Sequence, residues 1–284
     1  MKLVLPYLEV MATQSCNLSC LGCTNYSDLP AKGFVSWQEI KNSLLAWGEK
    51  LEILDFGIIG GEPLLNPEIE DWILGIRQLL PNSQIRLVTN GLLLDKKFHI
   101  LDLLHEIGNC VFKITVHQNN QKLEETIQNV FKKYNWSPIT EYNIDRWTTG
   151  NQFRFQVGRP NTFIKTYKNF YENMMPYSNN PADAFEICCQ KTCPLLYQGK
   201  IYKCSTSALL QTTLNRVGNP NAKMWEPYIE HGIDVSDSDA VLSKFVANFG
   251  KPNKICRMCP TKNDLQSQID HLENVSRKKY KLKK

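Results

Sequence analysis

The sequence predicts an α/β protein: a parallel sheet or partial barrel, followed by a small cysteine-bearing module. Two observations carry this. From Tyr7 to about Val157, short apolar runs alternate with helix-patterned segments. Beyond about residue 160 that alternation fades, while cysteines recur in close spacing.

The strand candidates are Leu8–Ala12, Ile53–Ile59, Gln84–Thr89, Val111–Val116 and Phe153–Val157. Between them lie helix candidates at Trp37–Trp47, Pro67–Leu80, Lys96–Ile107 and Gln121–Tyr134. Ser36 ahead of Trp37-Gln38-Glu39, and Asn66-Pro67 ahead of Glu68, are helix start signals. Strand, helix, strand at this spacing predicts successive right-handed βαβ units, whose functional groups gather at the carboxyl ends of the strands. The stretch 173–182 is turn-rich and reads as a connection. Leu195–Lys203 reads as a hairpin with Gln198-Gly199 at its tip. A further helix is expected around Asp239–Asn248, and a polar, basic helix at the end. The division is one α/β domain over residues 1–160, or to about 180, and a C-terminal module over 181–284.

The bulk composition fits a globular chain. Of 284 residues, 42% are hydrophobic and 21% charged, enough for one large core or two smaller ones. No run approaches the roughly 18–20 apolar residues of a membrane span. The N-terminus has no secretory-signal pattern, so the expected location is cytoplasmic. The net charge of +5 owes much to Arg277, Lys278, Lys279, Lys281, Lys283 and Lys284, a solvated terminal run. No helix-turn-helix, zinc-finger or RNA-binding signature accompanies it, so neither nucleic acid nor membrane is an expected partner.

Ten cysteines in such a location are not expected to form disulfides. Nine fall into three groups, at 16/20/23, 188/189/193/204 and 256/259. Cys110, inside the apolar run 110–116, reads as a small buried hydrophobe. Cys16-x3-Cys20-x2-Cys23 lies just after the first strand candidate. Three thiolates in one loop without a nearby fourth leave one iron of a [4Fe–4S] cluster open to an outside ligand. Zinc is the competing reading of the same spacing.

This loop resembles the signature of the radical S-adenosylmethionine (SAM) superfamily. The resemblance implies a partial (β/α)6 barrel whose SAM-binding [4Fe–4S] cluster is held by Cys16, Cys20 and Cys23. It further implies that SAM chelates the open iron and is cleaved to a 5′-deoxyadenosyl radical, which takes hydrogen from substrate. Ile58-Ile59-Gly60-Gly61-Glu62-Pro63 is similar to the family's GGEP motif, and implies that Gly60, Gly61 and Glu62 bind the methionine amine. Paired glycines let a ligand approach the backbone, and a carboxylate suits an ammonium. Val88-Thr89-Asn90-Gly91 resembles the segment near the ribose and the methionine carboxylate, which brings in Thr89 and Asn90. Thr115 and His117 follow the fourth strand, where a polar group faces the cofactor, and Arg154 and Gln156 alternate on the last one. The residue before the third cysteine, often aromatic in the family, is Gly22, so adenine packing is expected from Tyr26.

Cys189-x9-Gly199-x4-Cys204 with Cys256-x2-Cys259 resembles the auxiliary-cluster module of SPASM/twitch enzymes, in the shorter twitch form. Either Cys189 or Cys193, with Cys204, Cys256 and Cys259, would hold a second [4Fe–4S] cluster and leave Cys188 over. A structural zinc site is again the alternative. Taken with the family, the expected function is hydrogen abstraction from a ribosomally made precursor peptide, with cross-linking, epimerisation, oxidation or backbone splicing as outcome. The cluster loop begins at residue 16, too early for an N-terminal recognition domain, so a separate small recognition protein is the expected partner. An electron donor such as flavodoxin or ferredoxin is expected as well. Oxidation or epimerisation of a sugar or aminocyclitol is the alternative, and a zinc-stabilised binding module the non-enzymatic one. No general acid, base or hydrogen donor is legible.

Overall fold

In a computed structural model of the chain, residues 2–267 and 275–276 are described, apart from Leu21 and the positions 30–32, 118–119, 137–138, 142–143, 149, 161–163 and 170–172. The basic run 277–284 and its expected helix lie outside the described residues.

The first half follows the expected alternation. Strand β1 (Leu3–Thr13) leads through the two-residue β2 (Ser19–Cys20) to α1 (Trp37–Gly48), then β3 (Leu51–Gly60), α2 (Ile69–Leu79), β4 (Gln84–Thr89), α3 (Phe98–Ile107), β5 (Cys110–Thr115) and α4 (Gln121–Lys133). Helix α1 starts where Ser36 Oγ accepts from the Glu39 backbone amide, as its sequence signal predicts. A hairpin, β6 (Ile139–Glu141) and β7 (Ile144–Thr148), precedes β8 (Arg154–Gly158). After it come α5 (Pro181–Glu186), the hairpin β9 (Leu195–Tyr197) and β10 (Lys200–Tyr202), α6 (Ser205–Val217), α7 (Ala222–Trp225) and α8 (Asp239–Ala247). Gln198 and Gly199 form the hairpin tip with positive φ, the twist that two-residue hairpin loops favour.

One nine-stranded sheet unites these strands in the order β10-β9-β1-β3-β4-β5-β8-β7-β6. The run β9-β1-β3-β4-β5-β8 is parallel throughout, and the outer hairpins are antiparallel. The C-terminal hairpin therefore extends the same sheet: β9 pairs directly with β1. On the outer face α1–α4 pack a continuous core with Trp47, Trp72, Phe112 and Phe155 near its centre. Cys110 is fully buried there, as expected. A second core joins Tyr26, Tyr167, Leu209 and Trp225, and so fastens the cysteine loop to α6. Among the described residues no helix is long and apolar enough to cross a membrane.

Candidate active site

The inner face of the parallel strands encloses a cavity of about 600 Å³. It opens at the carboxyl ends of the strands, and three sequence signatures converge on it. Cys16, Cys20 and Cys23 contribute one wall, Gly60 and Gly61 a second, and Thr89, Asn90, Thr115 and His117 a third. The three thiols pack together with Leu18 and Leu92, and none is in a disulfide. Burial pushes up the Cys20 thiol, and raises that of Cys23 to about 12. The Leu18 amide donates to Cys16 Sγ at 3.4 Å and Asn90 Nδ2 approaches the same sulfur at 3.8 Å.

The loop is tied to the other motifs by side chains. Asn25 Nδ2 donates to the Gly60 carbonyl at 2.9 Å, and Asn90 Nδ2 to Asn17 Oδ1 at 2.7 Å. The pair Gly60-Gly61 is required by the protein itself. A Cβ on Gly61 would collide with the Ser15 carbonyl, because the turn closes against the end of β1. Backbone bonds from Gly61 to Thr13 and from Glu62 to Ser15, both 2.8 Å, hold that contact.

Glu62 closes the same turn. It is fully buried behind the glycines, and its carboxylate accepts from the Leu64 amide (3.0 Å), Thr89 Oγ1 (2.7 Å) and the Asn90 amide (2.8 Å). Burial raises its pKa to about 7 despite those donors. In this arrangement Glu62 locks the second motif to the third, which aims Thr89 and Asn90. Tyr26 is corrected. It is fully buried, stacked on Tyr167 at 6.0 Å, and turned away from the cavity. Gly22 has φ +74, a conformation that an aromatic L-residue would rarely adopt. Arg154 and Gln156 are half-buried on β8 and do not line the cavity.

The rest of the cavity was not foreseen. Tyr7 and Glu9 on β1, Asp55 on β3, Arg86 on β4 and Lys113 on β5 form a polar floor. Barrel interiors are ordinarily filled by branched apolar side chains. Here Arg86 pairs with Asp55 at 2.5 Å and Tyr7 donates to Glu9 Oε1 at 2.9 Å. Burial raises the Glu9 carboxyl to about 7 and lowers the Lys113 amine. The signal was available: a polar residue recurs at the inward position of four neighbouring strands whose outward positions are apolar. Near the thiols, Asn25 Oδ1, Ser27 Oγ and Asp28 Oδ1 are buried polar atoms without a hydrogen-bond partner. All three residues line the cavity, so a ligand carrying amine and hydroxyl donors would satisfy them.

Among the described residues no three His, Cys, Asp or Glu side chains are close enough to hold a single metal ion. A zinc site brings each thiolate within about 2.3 Å of one ion, whereas a four-iron cube spaces its thiolates over a larger body. Three thiols of one loop that line the cavity are a donor set suited to a cluster with one iron left open.

The second thiol group lies beside the first. The first turn of α6 packs on the cysteine loop, where Thr206 Oγ1 donates to the Thr24 carbonyl at 3.3 Å. Gln190 bridges the two through Ser205 and Thr206. Cys204 is the N-cap residue of α6, where the helix dipole favours a thiolate. Cys256 lies within the 3₁₀ segment Lys254–Met258, and Cys259 is its C-cap. Cys189 lies on the rim between this group and the cavity, and Cys193 lines the cavity.

Comparison with known proteins agrees with this arrangement. Residues 10–142 match the radical SAM superfamily. The GTP 3′,8-cyclase of Aquifex aeolicus (strain VF5) is 32% identical over 127 residues, 42% of this chain and 38% of that protein. Molybdenum cofactor biosynthesis protein 1 of Dictyostelium discoideum is 29% identical over 123 residues, 40% of this chain and 18% of that one. The matched stretches thus span less than two-fifths of these relatives. The structure of BtrN in complex with AdoMet and 2-DOIA superposes with a TM-score of 0.53, over 97% of this chain and 100% of that one. At 13% identity, that likeness is one of fold. Residues 10–142 are thus similar to the radical SAM superfamily, which uses SAM and a [4Fe–4S] cluster. The chain is an enzyme.

Proposed function

We propose that this enzyme binds a [4Fe–4S] cluster on Cys16, Cys20 and Cys23, places SAM along Gly60, Gly61, Thr89, Asn90 and Thr115, and abstracts hydrogen from a precursor peptide. The observation that carries the first part is the meeting of the three thiols with those motifs on one cavity, next to unsatisfied buried polar atoms. Once bound, the cluster supplies the electron that cleaves SAM to a 5′-deoxyadenosyl radical. The chain's own residues position the reactants. Asn25 and Glu62 hold the cysteine loop, the glycine turn and the Thr89-Asn90 turn in one register, and the cavity walls keep substrate within reach of the 5′ carbon.

The module with Cys204, Cys256 and Cys259 is read as a second [4Fe–4S] site that exchanges electrons with substrate or braces the fold. A precursor peptide, presented by a separate recognition protein, fits the positive net charge and the open mouth of the cavity, and flavodoxin or ferredoxin fits as electron donor. One observation favours a second reading. The floor of paired charges, Arg86 with Asp55, suits a small polar molecule such as a sugar or aminocyclitol.

The test is anaerobic purification, reconstitution, iron and sulfide counting, and an assay of 5′-deoxyadenosine with SAM and dithionite. About eight irons per chain and deoxyadenosine formation are expected for two four-iron sites. Zinc with no SAM cleavage sinks the reading. Peptides encoded beside the gene, with and without the recognition partner, are then scanned for mass changes against a panel of aminocyclitols and sugars. Turnover of the latter alone selects the second reading.

A further inference from the structure

The spacing of the C-terminal cysteines offers Cys189 or Cys193 as the fourth thiol and leaves Cys188 over. The side chains are distributed otherwise. Cys188, Cys204, Cys256 and Cys259 open on one small apolar pocket closed by Phe185 and Met258. Cys193 does not line that pocket. It lines the large cavity instead, together with Glu9 on β1. Cys189, the exposed member of the group, borders both spaces.

A second, independent feature singles out Cys188. The Gln190 amide donates to Cys188 Sγ at 3.3 Å, across two residues. In the first loop the Leu18 amide donates to Cys16 Sγ at 3.4 Å with the same spacing. Amide donors of this kind stabilise a thiolate and tune an attached cluster.

We infer that Cys188, Cys204, Cys256 and Cys259 are the four ligands of the second cluster, and that Cys193 is a free thiol of the reaction cavity. This rests on the reading that the module binds a [4Fe–4S] cluster. All four irons of that cluster are then protein-ligated, so it is closed to substrate, while the cavity keeps one thiol opposite the SAM-binding loop.

The test uses the full chain, reconstituted without oxygen. Iron is counted in the parent and in Cys188→Ala, Cys193→Ala, Cys204→Ala and Cys256→Ala. Cys193→Ala is expected to keep about eight irons, and the other three to fall towards four. In parallel the parent holoenzyme is treated with iodoacetamide and mapped by mass spectrometry before and after iron chelation. Cys193 is expected to label in the holoenzyme, and Cys188 only after chelation. This measurement stands even where a variant fails to fold. Loss of iron in Cys193→Ala, with Cys193 protected and Cys188 labelled in the holoenzyme, overturns the assignment and leaves the second cluster intact. A parent with about four irons, unchanged in Cys204→Ala and Cys256→Ala, removes the second cluster itself.

Discussion

At the scale of single residues, the site combines groups that contact ligands with groups that hold those groups still. Cys20→Ala is expected to abolish deoxyadenosine formation while retaining about four irons in the C-terminal module; SAM cleavage at the parental rate would contradict the ligand assignment. Gly61→Ala acts on the scaffold instead. The added methyl meets backbone at Ser15, which cannot swing aside, so a loss of about 1–3 kcal/mol and weaker SAM binding are expected from thermal melts and equilibrium dialysis. Glu9 predicts a pH dependence. Its carboxyl moves from an ordinary 4.5 to about 7 on folding, so the protonated form is favoured by the fold. Its contribution is complete below pH 4.5 and is lost as the pH rises through 7, amounting to about 3 kcal/mol at most. Asp28 and Glu62, raised to about 7 by burial, act in the same direction. The metal-free chain should therefore melt at lower temperature at pH 8 than at pH 5, with a shallower dependence in Glu9→Gln. The thiols and the glycine pair were legible because their spacing is a local property. The role of Glu62 was not, since its three donors come from two different turns and nothing in Gly-Gly-Glu-Pro announces them.

At the scale of elements, boundaries from periodicity agree with the structure for most helices and strands of the first half, although β1 starts five residues before the expected Leu8. Gln84–Thr89 coincides with β4, and the expected helix at Trp37–Trp47 with α1 to within one residue. Helix α6 escaped notice for a physical reason. It begins Ser205-Thr206-Ser207 and carries Thr212 and Thr213, residues of modest helix propensity. Several of these polar side chains are buried against the cysteine loop, which hides the stripe that marks an amphipathic helix. Gly218, left-handed at its C-terminal end, was the available signal. The β6–β7 hairpin was missed because β7, Ile144–Thr148, lies next to the edge strand with no buried residue, so it carries no apolar face to read. One interelement contact is open to direct test. Trp47 Nε1 on α1 donates to the Gly199 carbonyl at the hairpin tip at 2.9 Å. Trp47→Phe is expected to cost about 1–3 kcal/mol and to hasten hydrogen exchange in β9 and β10 more than in β4 and β5.

At the scale of the molecule, the sequence suggested a barrel half and an appended module, because the alternating pattern stops near residue 160. The structure joins them through a parallel pairing of β9 with β1, a contact between positions almost two hundred residues apart. No local pattern encodes such a pairing, since Leu195-Leu196-Tyr197 is an equally good strand beside any neighbour. The pairing sets the two thiol groups on either side of the α6 first turn, and it places Cys193 over the floor of the cavity.

The β9–β1 seam also bears on how the chain can be divided. A fragment ending near residue 180 would retain the superfamily match and the three-cysteine loop, yet it would leave β1 with a bare row of amides and carbonyls along its outer side. Long unprotected strand edges recruit strands from other molecules. Light scattering should find such a fragment self-associating at concentrations where the full chain stays dispersed. The final hundred residues then act as a hem that keeps the sheet from unravelling into its neighbours.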